Sequence, residues 1–429
     1  MKSTVKLTAL MVLLTVACAF AADWPWIYGP QRNLTSEQRG LLRTWPKEGP
    51  TVLWTAPVGA GFGGPAISGD KVYLLDRDER VGDKLRCLDL ATGKELWSFA
   101  YDAPGKFMFS GSRTTPTVDG DNVYTCGPLG DLYCISAKTH TPVWQKNIWT
   151  DFGGAGGPGA QLPTWGIVQN PLIYRNLLIV ASQAPQAGVV AYDKLTGELK
   201  WKTQPLSGTA GYVSPSIVKV AGEDHLVMIT ASVGRGRNAS GGSVNGIDPL
   251  SGRTLWTYGN WQCAIPVPHA VDAGDGRVLI TGGYSAGAAM IRVQKAADGA
   301  YSATELFKNP DFGSHTQPPV LYKDHFYAHY TINERSDGLA CMTMAGQVTW
   351  KTGEDPAFVR GGAVLADGLL LTTDGNTKLY LVEPDPSGFK PLASAVMLEP
   401  GTNWAPLALV DGKLFIRDQK QLKCVQVAR

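Results

Sequence analysis

A strand-turn-strand unit ending in a bulky aromatic returns along this chain at intervals of about 43 to 57 residues, the range of propeller blades rather than of heptads or helical solenoids. The clearest copy, CLDLATGKELW, runs from Cys87 to Trp97. Related stretches end at Trp144, Trp201, Trp256 and Trp350, and degenerate ones at Phe307 and Leu392. A unit of this length cannot bury its apolar face alone. It must stack on its neighbours, and that requirement constrains the fold more than any other feature of the chain.

The first unit reads as four strands, PAISG, KVYLLD, LRCLDL and KELWSF, joined by turns that contain Gly-Asp and Thr-Gly. The alternation has period two, and nowhere is there a sustained period of 3.6, so the chain reads as all-β. Cys87, Cys134, Ala191, Gly246, Arg292, Cys341, Leu381 and Cys424 fall in the corresponding slot of successive third strands. That predicts an eight-bladed β-propeller of four-stranded blades. The last blade lacks a fourth strand, while TVLWTAPV carries Trp54 with no blade before it. Pairing the N-terminal strand with the last blade would close the ring and remove the exposed sheet edges. Trp54, Trp97, Trp144, Trp201, Trp256 and Trp350 share one fourth-strand slot, where an indole is expected to pack between blades.

Residues 1–21 read as a signal peptide, with Lys2 and Lys6 before the apolar run Leu7–Ala17 and a small-residue end at Ala19–Ala21. The alternative is lipid attachment at Cys18. Residues 22–50 form an extended N-terminal segment and 51–429 the propeller. No later apolar run reaches membrane-spanning length, so the mature chain is expected to be exported, periplasmic or extracellular, and monomeric. With 39 basic against 37 acidic residues there is no field to hold a nucleic acid. Cys87, Cys134, Cys341 and Cys424 sit in equivalent slots too far apart to bridge, and nothing in the spacing pairs Cys126 with Cys263. The four in the shared slot read as small buried hydrophobes, and the pairing of Cys126 or Cys263 stays open.

These repeats resemble the quinoprotein-like eight-bladed propellers, whose repeat centres on Ala-x-Asp-x-x-Thr-Gly-x-x-x-Trp. The leader WPWIYGPQRN and the stretch GLLRTWPKEGPTVLW are similar to the exported pyrroloquinoline-quinone-like group related to outer-membrane-protein assembly factor B. The resemblance implies one of two functions. One is a scaffold of the cell envelope that binds a partner protein, a small molecule or a sugar and needs no cofactor. The other is a dehydrogenase of alcohols or sugars that uses pyrroloquinoline quinone with calcium.

Long connections at Tyr101–Arg113, Lys146–Trp165, Ala231–Val244 and Tyr330–Gly338 emerge on one side of such a ring, which places binding there. Aligning the inner-strand starts puts Phe62, Arg113, Tyr212, Thr316, Arg360 and Trp404 in one slot, with Gln169, Gln317, Asn170 and Ser214 close behind. Trp165 and His315 lie beside them. The candidate ligand-binding set is therefore Phe62, Arg113, Trp165, Gln169, Tyr212, His315, Gln317, Arg360 and Trp404. Guanidiniums among aromatic planes suit a flat or sugar-like ligand with carboxylates or other acceptors; lining a wet channel is the bland reading of the same residues. No Asp or Glu occupies the slot, which leaves calcium and a catalytic base only loop carboxylates such as Asp151. His269, His315 and His329 have no carboxylate placed to orient them, so no metal site is expected. The Gly153–Gly159 stretch has the spacing of a dinucleotide fingerprint but is followed by prolines and a blade, and reads as a loop. No nucleophile elbow is present, and no catalytic residue is assigned.

Overall fold

A computed structural model describes residues 23–155, 162–234, 236–332 and 335–429. Residues 1–21, with Cys18, and the Gly156–Gly159 half of the glycine-rich stretch lie outside the described residues.

Middle strands such as Lys71–Asp78 are buried along almost their whole length, because a neighbouring blade covers each face. Outer strands such as Glu95–Ala100 and Thr254–Tyr258 alternate between exposed and covered positions. The result is eight four-stranded antiparallel sheets in chain order, with a short added strand, Thr35–Ser36, lying parallel to the inner strand of the seventh. The eighth sheet is Ala408–Val410, Lys413–Arg417 and Gln421–Gln426, with Val52–Pro57 as its outer strand and Trp54 opposite Cys424. Blade eight also grips blade one directly. Arg417 donates to the Gly59 carbonyl (2.7 Å), and Gln419 both accepts from Gly61 N (3.0 Å) and donates to its carbonyl (3.2 Å).

All eight outer strands carry a bulge one residue before the aromatic slot. The bulged residue points to solvent: Leu53, Leu96, Val143 and Leu306 are exposed for this reason. Two sequence assignments shift accordingly. Leu392 is the bulged residue of blade seven, and Ala393 holds the slot opposite Leu381. In blade five, Met290 stands opposite Phe307 and Arg292 opposite Thr304, because that blade's third strand runs on to Lys295 before its hairpin turns.

The co-occurrence of Thr-Gly and Trp in the repeat is a contact between neighbours. A Cβ on Gly197 (φ +72°) would meet Trp144 of the preceding blade at 2.8 Å, and one on Gly252 (φ +74°) would meet Trp201 at 2.5 Å. Gly93 stands in the same relation to Trp54, and Gly346 to Phe307. The indole N–H then caps a carbonyl of the same turn, Trp54 at Leu90 (3.0 Å) and Trp144 at Lys194 (3.0 Å). Where blade two has His140 instead of glycine, also at positive φ, Trp97 stacks flat on the imidazole at 4.6 Å. Trp256 departs from the pattern and donates to His225 Nδ1 within its own blade (2.9 Å). The six described cysteines, Cys87, Cys126, Cys134, Cys263, Cys341 and Cys424, are buried and unpaired.

Replacing Gly197 or Gly252 by Ala adds both left-handed strain and an overlap with the neighbouring indole. Each substitution is expected to cost about 1–3 kcal/mol in denaturant unfolding. Gly69→Ala, also at positive φ but with open space around it, should lose only about 1 kcal/mol. Equal losses at all three positions would refute the contact.

Candidate functional site

The inner strand of each blade begins at the long-loop face, and the residue three places before its proline or equivalent points into the ring. Phe62, Arg113, Val168, Tyr212, Ile265, Thr316, Arg360 and Trp404, one from every blade, all line a single cavity of about 190 Å³. A single water needs only about 10–15 Å³ on the same measure, so the space accepts a sizeable ligand.

Half of the mouth is an aromatic arc. Trp404 lies 5.4 Å from Phe62 and 5.5 Å from Phe109, and Trp165 lies 5.0 Å from Tyr212. Two guanidiniums stack on this arc, Arg113 over Phe62 at 5.1 Å and Arg360 over Trp404 at 4.8 Å. Arg113 donates to the Trp165 carbonyl (3.1 Å) and the Phe109 carbonyl, so part of its donor set is structural. Arg360 Nε is buried without a protein partner among the described residues. Burial lowers both guanidiniums, Arg113 to about 10, which leaves them cationic at neutral pH. The loop that carries Phe109 is tied down by Arg77, which pairs with fully buried Asp83 and donates to the Ala103 (2.6 Å) and Gly105 (3.2 Å) carbonyls.

Below the mouth, polar side chains are spent in joining blades. Thr115 Oγ1 accepts from Gly64 N (2.9 Å), Asn170 Oδ1 accepts from Thr115 N (2.8 Å), and Ser214 Oγ accepts from Asn170 N (2.9 Å). Gln317 donates to the Trp404 carbonyl (3.2 Å). Residues Trp24–Ser36 cross the far end of the channel and turn it into a cup. Trp24 pairs with Ile67 of blade one, Val118 N of blade two donates to the Pro25 carbonyl (2.8 Å), and Leu365 N of blade seven donates to the Leu34 carbonyl (2.8 Å). Ile27, Tyr28 and Arg32 of this strap line the cup.

Of the nine residues singled out in the sequence, Phe62, Arg113, Trp165, Tyr212, His315, Gln317, Arg360 and Trp404 meet around this cavity. Gln169 does not line it. Its amide is buried between blades, donating to the Val213 carbonyl (2.9 Å) and accepting from Ala181 N (3.0 Å). Val168 and Ile265 went unnamed, although counting back from Pro171 and Pro268 gives both. Tyr28, Arg32, Phe109 and Tyr284 come from the strap and loops, which have no repeat register to expose them. The three histidines do not converge: His315 packs on Tyr284 at 4.4 Å, while His329 sits away from the cup, bonded to Thr372 Oγ1 (2.9 Å). Asp151 accepts from Asn147 N (3.0 Å) in a surface turn and is not among the lining residues. The lining contains no Asp or Glu, and no cluster of three or more His, Cys, Asp or Glu suited to a metal occurs among the described residues. The cup therefore suits anions and aromatic or flat bodies, and it offers calcium no carboxylate.

The family model described as outer membrane protein assembly factor BamB matches residues 81–352. The assembly factor of Burkholderia pseudomallei (strain K96243) is 26% identical over 132 residues, covering 25% of this chain and 33% of that protein. The glycerol dehydrogenase large subunit of Gluconobacter thailandicus is 24% identical over 178 residues, covering 37% of this chain and 23% of that protein. The matches thus span a third or less of either relative. Among solved structures, the quinohemoprotein alcohol dehydrogenase of Comamonas testosteroni superposes with a TM-score of 0.64 at 14% identity, over 95% of this chain and 81% of that one. That likeness establishes the propeller fold. No helix among the described residues is long and apolar enough to cross a membrane.

Burial pushes His269 and His329 down to about 4, so the native protein holds both neutral. In the unfolded chain they titrate near 6.5. As pH falls from about 6.5 to 4, unfolding takes up protons and stability is lost, by roughly 3 kcal/mol per histidine. Asp83, raised by burial to about 6, opposes this because its native form protonates first. Melting temperature is expected to fall over that window, and less steeply in His329→Gln. Parallel curves for the two proteins would contradict the assignment.

Proposed function

The chain belongs to the family described as outer membrane protein assembly factor BamB, and from that premise we propose that it is an exported binding protein of the cell envelope whose working site is the arginine-bearing cup. The ligand is an extracytoplasmic molecule with a flat or ring-shaped body and anionic groups. One observation carries this reading: Arg32, Arg113 and Arg360 line a cavity that contains no carboxylate. Guanidiniums stacked on aromatic faces keep their N–H edges free for carboxylate or phosphate oxygens, and a partly desolvated pocket strengthens such charge-assisted bonds. The signal-peptide reading of residues 1–21 supports export, and the same chemistry would hold an acidic group displayed by an envelope protein.

The quinone dehydrogenase reading meets a mixed fit. A flat polycarboxylate quinone would suit Trp404, Phe62 and the two mouth arginines. Calcium would require oxygen ligands, at least some of them carboxylate, and alcohol oxidation a carboxylate base; the described lining supplies neither. The residues present support binding of an anion and do not support the metal-assisted reaction.

Benzene-1,3,5-tricarboxylate is a suitable flat anionic probe. It should quench tryptophan fluorescence on binding, and the Arg113→Ala/Arg360→Ala protein should bind it at least about tenfold more weakly with an unchanged fold. Affinity should not respond to calcium. Failure of the wild-type protein to bind the probe, or calcium-dependent alcohol oxidation with added pyrroloquinoline quinone, would overturn the proposal.

A further inference from the structure

The floor of the cup has a chemistry distinct from its mouth. His269 stands four residues beyond the mouth residue Ile265, just ahead of the short inner strand of blade five, Val271–Asp272, and both side chains line the cup. The strap arrives there through a tight coil in which Tyr28, Gly29, Arg32 and Leu34 all have positive φ. This coil delivers two strap side chains to the cavity. Tyr28 packs against the His269 ring at 5.1 Å, and Arg32 lies over Trp26 at 4.3 Å. Burial is the main cause that depresses His269, with the Arg32 charge adding to it, and both side chains line the same cavity.

Both present a buried polar atom that no group of the described protein satisfies, Nη2 of Arg32 and Nε2 of His269. Their roles are opposite. His269 Nδ1 lies 2.9 Å from the Ala270 carbonyl and must donate to it, so in the neutral ring Nε2 is an acceptor. Arg32 is a cationic donor. A lone oxoanion would satisfy Arg32 and meet the bare lone pair of His269 unfavourably, and a neutral alcohol would leave the guanidinium unmatched. A group that satisfies both has an anionic oxygen beside an O–H.

Resting on the anion-binding reading of the cup, we propose that the Arg32–His269 floor is a subsite for a hydroxy-carboxylate, the acidic unit of a sugar acid, whose carboxylate bonds Arg32 and whose neighbouring hydroxyl donates to His269 Nε2. The sugar ring lies against Tyr28, where C–H faces pack well on an aromatic plane. Arg113 and Arg360 belong to the mouth and the strap's Arg32 to the far end, so a single unit seated on the floor does not depend on the mouth pair. Longer acidic saccharides extend upward to the mouth arginines.

Calorimetry of the full mature chain with four probes tests this. D-glucuronate should bind at least about tenfold more tightly than D-glucose, which lacks the anion, and than acetate, which lacks the hydroxyl. Hydrogen phosphate has both an anionic oxygen and an O–H but no ring, and should be weaker than glucuronate. Arg32→Gln and His269→Phe should each lose about tenfold for glucuronate, whereas Arg113→Ala should not. Arg32→Lys, which keeps the charge and the strap, serves if the glutamine variant fails to fold; it should lose affinity for want of the guanidinium fork. Glucuronate no tighter than glucose or acetate, or equally affected by Arg113→Ala and Arg32→Gln, overturns the subsite. Phosphate binding tighter than glucuronate overturns the sugar acid. If the tricarboxylate probe still binds in any of these cases, the wider reading of the cup stands, and the two failures are told apart.

Discussion

The structure depends on one interblade contact, an indole of one sheet seated on the turn glycine of the next. At Gly93, Gly197 and Gly252 the turn comes so close to the ring that a Cβ would overlap it. Trp54 and Trp144 also finish the contact with an indole N–H on a turn carbonyl, so those rings are located as well as buried. At blade two His140 offers a flat face where Gly93, Gly197 and Gly252 offer a gap. With Phe307 on Gly346, the contact recurs at four seams and helps set the angle between successive sheets, and Val52–Pro57 closes the ring beside Gln421–Gln426.

A ring built this way gathers eight equivalent strand starts around one axis. Much of the joining of blades is done further out and by the Thr115, Asn170 and Ser214 belt beneath them, with Arg113 and Thr316 adding bonds at the mouth. The inward positions are free to vary, and in this chain they hold aromatics and arginine and no carboxylate. The strap across the far end converts a through-channel into a closed cup, and it brings one more guanidinium with it.

The periodic part of the molecule was legible in the sequence because it is written eight times. Strand type, blade number and the mouth register all follow from a pattern in which each copy checks the others, and eight of the nine selected residues meet at one cavity. What failed was whatever depends on direction or on a single copy. Gln169 is adjacent to the mouth residue Val168, but its amide is held between blades by the Val213 carbonyl and Ala181 N, so it faces the seam and not the cup. Leu392 was misplaced by a bulge that sets an exposed apolar residue beside the slot, and Arg292 by a lengthened hairpin. Arg32 belongs to a coil with no repeat at all, and only the crossing of the strap beneath the ring shows where its side chain goes.

The central claim is that the cup is an anion receptor and not a metal centre. Anomalous diffraction from crystals soaked separately in bromide and in europium tests it most directly, since each scatterer reports the sign of charge its site prefers. The account predicts bromide peaks beside Arg113 or Arg360, or on the Arg32 floor, and no europium in the cup. A europium peak among those side chains, with bromide absent from them, would contradict it.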